Sequence, residues 1–445
     1  MTQRSSGIGN SITRRRALQL LGLGGIATVS AVSSACAGPG SGEGGEQQGG
    51  SGGDELATGG PVEGEISFAH WRAEDQDVLE ELFAQFTEEY PDASVSQDIS
   101  PSNDYQSSAL QRIRSGNIGD LFVAFRGAQF VDMVNAGLYA DLSGTDVVDL
   151  YQPDLIEAGA QDGTQYGLPY QLVFNQPVTN LDMLESVGIT EPPPDWDSFL
   201  AMCEDLLAAD VIPMAWPGGE IGNAGHLFNC MVMNNAPSDD MCVKIETGEY
   251  KCTDDWFLRT LEQYAELRPY FQSNATGTAV EPAQQLFAEG QAAIMVTGSF
   301  HIAAARELGA DFPMGMLAPI TVSADEMKYE GIHNATFILG VNTASDNQAA
   351  AMELLRFLSA PEPASTYANG TAQHLTVTDV EYENEDLATN EEWLQKQTLL
   401  APRFQFTDLD IRNAAEQACI DVVGGDSPEQ AAEAAQQIID QRVDA

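Results

Sequence analysis

Lysine is nearly missing from this chain of 445 residues, occurring only at positions 244, 251, 328 and 396. With 19 basic residues against 67 acidic ones, the formal net charge is −48. Such a surface offers nothing to a polyanion, which excludes nucleic acid as a partner. Dense carboxylate with little lysine instead suits a salt-rich or alkaline habitat, where a strongly charged surface stays solvated and screened. The acidic positions of 381–386 and 429–444 are accordingly expected to be solvated faces. Past residue 63 the chain has no Gly-x-Ser-x-Gly elbow, no His-Glu-x-x-His and no phosphate loop. Paired carboxylates, which a glycosidase would need, are everywhere in a chain this acidic and carry no weight, so the expectation is a protein that is not an enzyme. No fixed-period repeat is present. Past the first 36 residues, no run is long and apolar enough to cross a membrane.

The N-terminal stretch is the most informative. Thr13-Arg14-Arg15-Arg16-Ala17-Leu18-Gln19 precedes an uncharged run over 20–35, then Cys36. A basic patch, a short apolar core and small residues before a cut site make a secretory signal peptide. The paired arginines point to twin-arginine export. The run falls short of the ~20 apolar residues that a spanning helix needs. Ser33-Ser34-Ala35-Cys36 resembles a lipoprotein cleavage site, which makes Cys36 the expected lipidated residue and 1–35 a removed leader. Residues 36–63 are then a Gly-, Ser- and Glu-rich tether with almost nothing to bury, holding its cargo ~30 Å from the membrane. The expected location is the outer face of the cytoplasmic membrane, and the body over 64–445 is long enough for two lobes.

Five cysteines follow Cys36. Cys242 and Cys252 flank Thr247-Gly248 in what reads as two short strands, so a disulfide across this hairpin is the candidate bridge, with Cys230 able to pair with either. Cys203 and Cys419 sit in apolar helical patterns as buried thiols. The spacings match no zinc motif, and neither a metal nor another cofactor is expected.

The body alternates strands and helices. Strands are predicted over 65–70, 93–99, 120–124 and 292–296, and helices over 77–90, 105–116, 196–209, 254–269 and 347–359. Two C-terminal helices start behind Asp408 and behind Ser427-Pro428-Glu429, where serine caps and proline takes the first helical position. Repeated βαβ order predicts an α/β fold whose sheets are mainly parallel and flanked by helices.

Several segments, in this order, resemble the extracellular solute-binding proteins of carbohydrate ABC importers. They are Ile66-Ser67-Phe68-Ala69-His70-Trp71-Arg72, Gly116-Asn117-Ile118-Gly119-Asp120-Leu121-Phe122, Ala136-Gly137-Leu138-Tyr139-Ala140-Asp141-Leu142, Pro193-Pro194-Asp195-Trp196 and Leu286-Phe287-Ala288-Glu289-Gly290-Gln291-Ala292-Ala293-Ile294-Met295. The resemblance implies a two-lobed periplasmic-binding-protein type II fold with a hinge. One lobe would hold 64–171 plus 320–360, the other 172–319 plus 361–445. It further implies a monomeric receptor that closes around a mono- or oligosaccharide and docks on the transmembrane subunits of a permease. The alternative is the same fold holding a non-sugar solute.

A sugar presents apolar ring faces and many hydroxyls, so its site needs aromatic plates and polar side chains at fixed angles. The resemblance puts Trp71, Arg72, Glu74 and Asp75 after the first strand, Phe125 and Arg126 in a second contact loop, and Phe300 with His301 behind Gly298-Ser299. Trp216 is expected at a strand end toward the cleft, and His333 and Asn334 before a β run. Phe406 and Asp408 are late candidates. Trp196 and Trp256 are expected in the core, and Trp393 has no assigned role. A metal reading would draw on His70, His301 and His333.

Overall fold

The computed structural model describes residues 59–443 apart from 117, with the side chain of residue 103 also left aside. The expected leader, lipidated Cys36 and most of the tether lie outside the described residues. Thirteen strands are present among those described: β1 Gly64–His70, β2 Ala93–Ile99, β3 Leu121–Ala124, β4 Ala160–Gln161, β5 Thr164–Gln165, β6 Leu168–Phe174, β7 Val178–Asn180, β8 Ile212–Ala215, β9 Ala292–Met295, β10 Met314–Met316, β11 Gly331–Val341, β12 His374–Leu375 and β13 Thr398–Leu400.

They build two main sheets. The larger runs β12-β6-β11-β3-β1-β2, with β13 alongside the start of β11, and the smaller runs β10-β7-β9-β8. Each sheet is mixed, which corrects the mainly parallel expectation. β1 lies parallel to β2 and β3, and β11 to β13. In the same sheet β11 is antiparallel to β3 and β6, and β12 to β6. In the smaller sheet β8 and β9 are parallel, whereas β7 is antiparallel to β9 and β10. The antiparallel pairs arise because β6, β7, β10 and β11 belong to chain segments that pass between the lobes and return, rather than to helical crossovers.

Each sheet has its own core. Leu79, Leu82, Phe83 and Phe86 recur at helical spacing on Gln76–Glu89 and are buried against the larger sheet. In the second lobe the helix Trp196–Ala208 starts where the Asp195 carboxylate accepts from the Ser198 amide at 2.8 Å. It buries Trp196, Phe199, Met202, Cys203 and Leu206. The helices Leu409–Gly424 and Pro428–Val443 pack on each other and on Asp255–Leu267, closing this second core.

Residues 361–375 join the first lobe, not the second as expected. The helix Pro361–Thr371 packs on Gln76–Glu89, and β12 pairs with β6. Which sheet the segment joins depends on long-range pairing that no local pattern states. The hairpin expected over 242–252 is instead a helix, Met241–Glu246, followed by a turn with Gly248 at φ 76°. Met241, Cys242 and Ile245 are its buried face, an i, i+4 pattern that outweighs the short apolar runs. Cys242 and Cys252 are accordingly free, as are the buried Cys203, Cys230 and Cys419. Asp386, expected in a solvated acidic run, is 8 % exposed and takes both Nε and Nη2 of Arg306, at 2.9 and 2.6 Å.

The passages between sheets lie close together. Residues 175–177 link β6 to β7, and 317–330 link β10 to β11. The Gln176 Oε1 accepts from the Ile332 amide at 2.7 Å, and the Asn175 amide donates to the Ile332 carbonyl at 3.2 Å. No helix among the described residues is long and apolar enough to cross a membrane.

Candidate functional site

Between the two lobes lies a cavity of about 760 Å³, walled by Trp71, Arg72, Glu74, Phe125 and Asn334 from the first lobe and by Phe300, His301, His226, Arg403 and Arg412 from the second. Strand periodicity decides who faces it. On β6, Gln171 and Val173 line the cavity while Leu172 and Phe174 line a separate cleft on the reverse side. On β11, Asn334 and Thr336 line the cavity, and His333 lies on that reverse side with its Nδ1 2.9 Å from the Thr398 hydroxyl. His333 is therefore not brought to the cavity, one residue out of phase with Asn334.

Trp71 is a half-buried plate. Its ring stacks on Phe125 with centroids 3.7 Å apart and 16° between planes, and Phe337 meets it edge-on at 5.1 Å. Behind it, Arg72 is 3 % exposed and grips Asp75 through Nε–Oδ2 at 2.7 Å and Nη2–Oδ1 at 2.9 Å. Glu74 approaches the same guanidinium at 3.2 Å. Asp75 is fully buried and also accepts from the Tyr367 hydroxyl, so it anchors Arg72 from behind rather than walling the cavity. Burial works against the Arg72 cation, but Asp75 and Glu74 more than offset it and raise its pKa.

Across the cavity, Phe300 sits 5.0 Å from the His226 ring and 4.5 Å from that of His301. A side chain at Gly298 would meet the Phe300 ring at 2.3 Å and the Phe174 carbonyl at 2.9 Å, so only glycine lets this loop close. Burial, reinforced by Arg72, pushes His301 down to about 3. Burial also holds His226 well below its ordinary value, with Arg403, His301 and Arg412 adding repulsion. Both rings are neutral near pH 7, each presenting one N–H donor and one acceptor. His226 Nδ1 lies 3.1 Å from the Asn175 amide nitrogen.

Arg403 and Glu416 form a buried two-point pair, Nε–Oε1 at 2.7 Å and Nη2–Oε2 at 2.8 Å, each residue 2 % exposed. Arg412, from the first turn of Leu409–Gly424, is 7 % exposed. Four buried polar atoms on residues of this wall have no hydrogen-bond partner: Asn175 Oδ1, His301 Nδ1, Thr336 Oγ1 and Arg412 Nε.

Of the residues expected from sequence, Trp71, Arg72, Glu74, Phe125, Phe300, His301 and Asn334 meet at this cavity. Arg126 stands beside it, its Nη1 donating to Asn334 Oδ1 at 3.5 Å, and uncompensated burial lowers it to about 10. Trp216 does not reach it. That ring is fully buried in the second core, stacked on Phe271 at 4.9 Å, its Nε1 donating to the Ala224 carbonyl at 3.2 Å. Phe406 is core, and Asp408 caps Leu409–Gly424 while paired with Arg442. Trp196 and Trp256 lie in the second core, and Trp393 is buried against Phe174 and Met316. His70 is fully buried, its Nε2 2.9 Å from Gln97 Oε1, so the three histidines of the metal reading are dispersed. Sequence reasoning missed His226, Gln171, Arg403, Phe404 and Arg412. Scarcity was the available signal for three of them: any arginine or histidine is rare here, and these carry no motif.

Residues 72–365 match the family described as Bacterial extracellular solute-binding protein, and the chain belongs to that family. A binding protein of Brucella abortus (strain 2308) is 23 % identical over 302 residues, covering 66 % of this chain and 71 % of its own. Among solved structures, the RafE solute-binding protein in complex with raffinose aligns at TM-score 0.74 and 17 % identity, covering 85 % of this chain and 100 % of its own. A chitin oligosaccharide binding protein aligns at 0.73 and 18 %, covering 85 % and 99 %. At these identities the structures establish the fold, a two-lobed α/β solute-binding architecture.

Proposed function

We propose that this chain is the lipid-anchored extracellular receptor of an ABC importer, capturing a mono- or oligosaccharide between its lobes and delivering it to a permease, without chemistry of its own. The observation that carries the reading is the cavity itself: aromatic faces from opposite lobes, Trp71 and Phe300, bracket a space in which buried polar atoms lack partners. Apolar sugar faces suit the plates, and hydroxyls, which both donate and accept, suit neutral His301, Thr336 and Asn175. Support also comes from the fold neighbours, whose solutes include raffinose and a chitin oligosaccharide. The twin-arginine leader and Cys36 support export and anchoring.

A saturating sugar raises the melting temperature of the purified full chain, since a ligand of the folded state at 100 times its Kd stabilises by about 2.7 kcal/mol. Trp71→Ala and Phe300→Ala each weaken sugar binding by roughly 30-fold, the loss expected of a central aromatic anchor. Both residues are half-buried, so the variants keep the far-UV spectrum of the parent. Titration calorimetry reads the affinity, and unchanged values in both variants would remove this cavity from consideration.

A further inference from the structure

The cations of the cavity are out of proportion to the chain that carries them. Eleven arginines follow Arg16. Three of them, Arg72, Arg403 and Arg412, wall this one space, and Arg126 adjoins it. Two of these four are neutralised in place, Arg72 by Asp75 and Glu74, and Arg403 by Glu416. Arg412 has no carboxylate within ion-pairing distance among the described residues and no partner for its Nε, though it is 93 % buried by its 7 % exposure. Glu416, the nearest compensating carboxylate, spends both oxygens on Arg403. Elsewhere, arginines without a carboxylate partner, Arg114, Arg259 and Arg268, are exposed and solvated.

A buried guanidinium without a counter-ion is costly. In a protein with 67 acidic residues, a carboxylate to quench it would be easy to supply. The acids that do reach the cavity other than Glu74, namely Asp77, Glu281 and Glu307, are exposed at its rim. A charged floor left open beneath an acidic rim fits a solute that brings its own negative charge. Burial and the neighbouring Arg403 lower Arg412 to about 10, so it remains a cation at neutral pH.

We propose that the solute is an acidic saccharide, whose carboxylate or anionic ester seats on Arg412 while its ring lies between Trp71 and Phe300. This rests on the receptor reading and names its substrate class. The guanidinium's planar fork matches the paired oxygens of a carboxylate, a sulfate ester or a phosphate ester. Asn175, His301 and Thr336 remain for the hydroxyls.

The test is titration calorimetry on the full chain with matched pairs: glucuronate and galacturonate, and oligomers of each, against glucose, galactose and their oligomers. Sulfated and phosphorylated forms of the same sugars make a third arm that separates carboxylate from ester recognition. The expected result is that one acidic class binds roughly 10- to 100-fold tighter than its neutral parent, the range for a hydrogen-bonded charge. Arg412→Gln erases that preference while weak neutral-sugar binding persists, and Arg412→Lys restores part of it. Tight binding of a neutral sugar, equal in parent and Arg412→Gln, would overturn the acidic assignment and leave the receptor standing. If no saccharide of any arm binds, both readings fall together.

Discussion

Replacing Glu416 by alanine lowers the melting temperature by roughly 4–6 °C. The pair it forms with Arg403 is sealed from water, each residue 2 % exposed, and Gly225 packs so close that a side chain there would meet Glu416 Oε2 at 2.4 Å. Without the carboxylate, Arg403 keeps only its Nη1 bond to the Gly222 carbonyl at 2.8 Å, beside the equally cationic Arg412. Breaking a buried pair by removing one partner costs about 3–5 kcal/mol, because the stranded charge stays buried. With an unfolding entropy of about 2 cal/mol/K per residue over the folded body, that cost becomes the stated shift. The double variant Arg403→Met/Glu416→Met recovers most of the loss, since an apolar pair of similar volume is often neutral against an ion pair. Calorimetric melting of the parent, the single and the double variant checks this. A Glu416→Ala melting point within about 1 °C of the parent would show that water reaches the pair.

Much of the architecture was legible because hydrophobic periodicity is local. Gln76–Glu89 and Trp196–Ala208 lie within a residue of their predicted bounds, and the two C-terminal helices start where predicted, since helix starts and apolar stripes are written in adjacent residues. What was not legible is long-range. Strand direction in β6, β7, β10 and β11 depends on how the chain crosses between lobes, and no local pattern states it. Residues 361–375 went to the wrong lobe for the same reason. At the site, residues following a strand were found where chain order suffices: Trp71 after β1, and Phe125 after β3. Phase was the weak point. His333 and Asn334 were both named, but a strand shows only one of two neighbours to the cavity. Trp216 failed differently. It follows β8, yet the turn behind it folds the indole back onto Phe271 and Ala224. Arg403 and Arg412 come from the last 45 residues, and only the folded chain carries them back to a cavity begun at Trp71.

Acid destabilises this protein from about pH 6.5 downward, well before its carboxylates protonate. All five histidines are shifted the same way, and in each the largest cause is burial. His70 and His374, 0 % and 3 % exposed, are each lowered to about 4, as is the half-buried His333. A histidine unfolded titrates near 6.5. Between that value and the folded one, the unfolded chain binds a proton that the folded chain refuses, so stability rises with pH and is lost as pH falls. Each such group costs up to about 1.4 kcal/mol per pH unit across that window. Acidic surface repulsion works in the opposite direction, but it is relieved only nearer pH 4, as carboxylates begin to take protons. Melting scans at constant, high ionic strength therefore fall steadily from pH 7 to pH 5. His374→Gln flattens the slope by its own share, because that ring is packed against Phe174 and Tyr382 and plays no part in the cavity. A melting temperature that is flat across this interval in the parent would mean the rings are hydrated and that the neutrality assigned to His226 and His301 at the cavity wall fails with them. The hydroxyl-partner role proposed for His301 depends on its remaining uncharged beside Arg72. The same scan thus tests the electrostatic state of the site and the acid sensitivity of the fold.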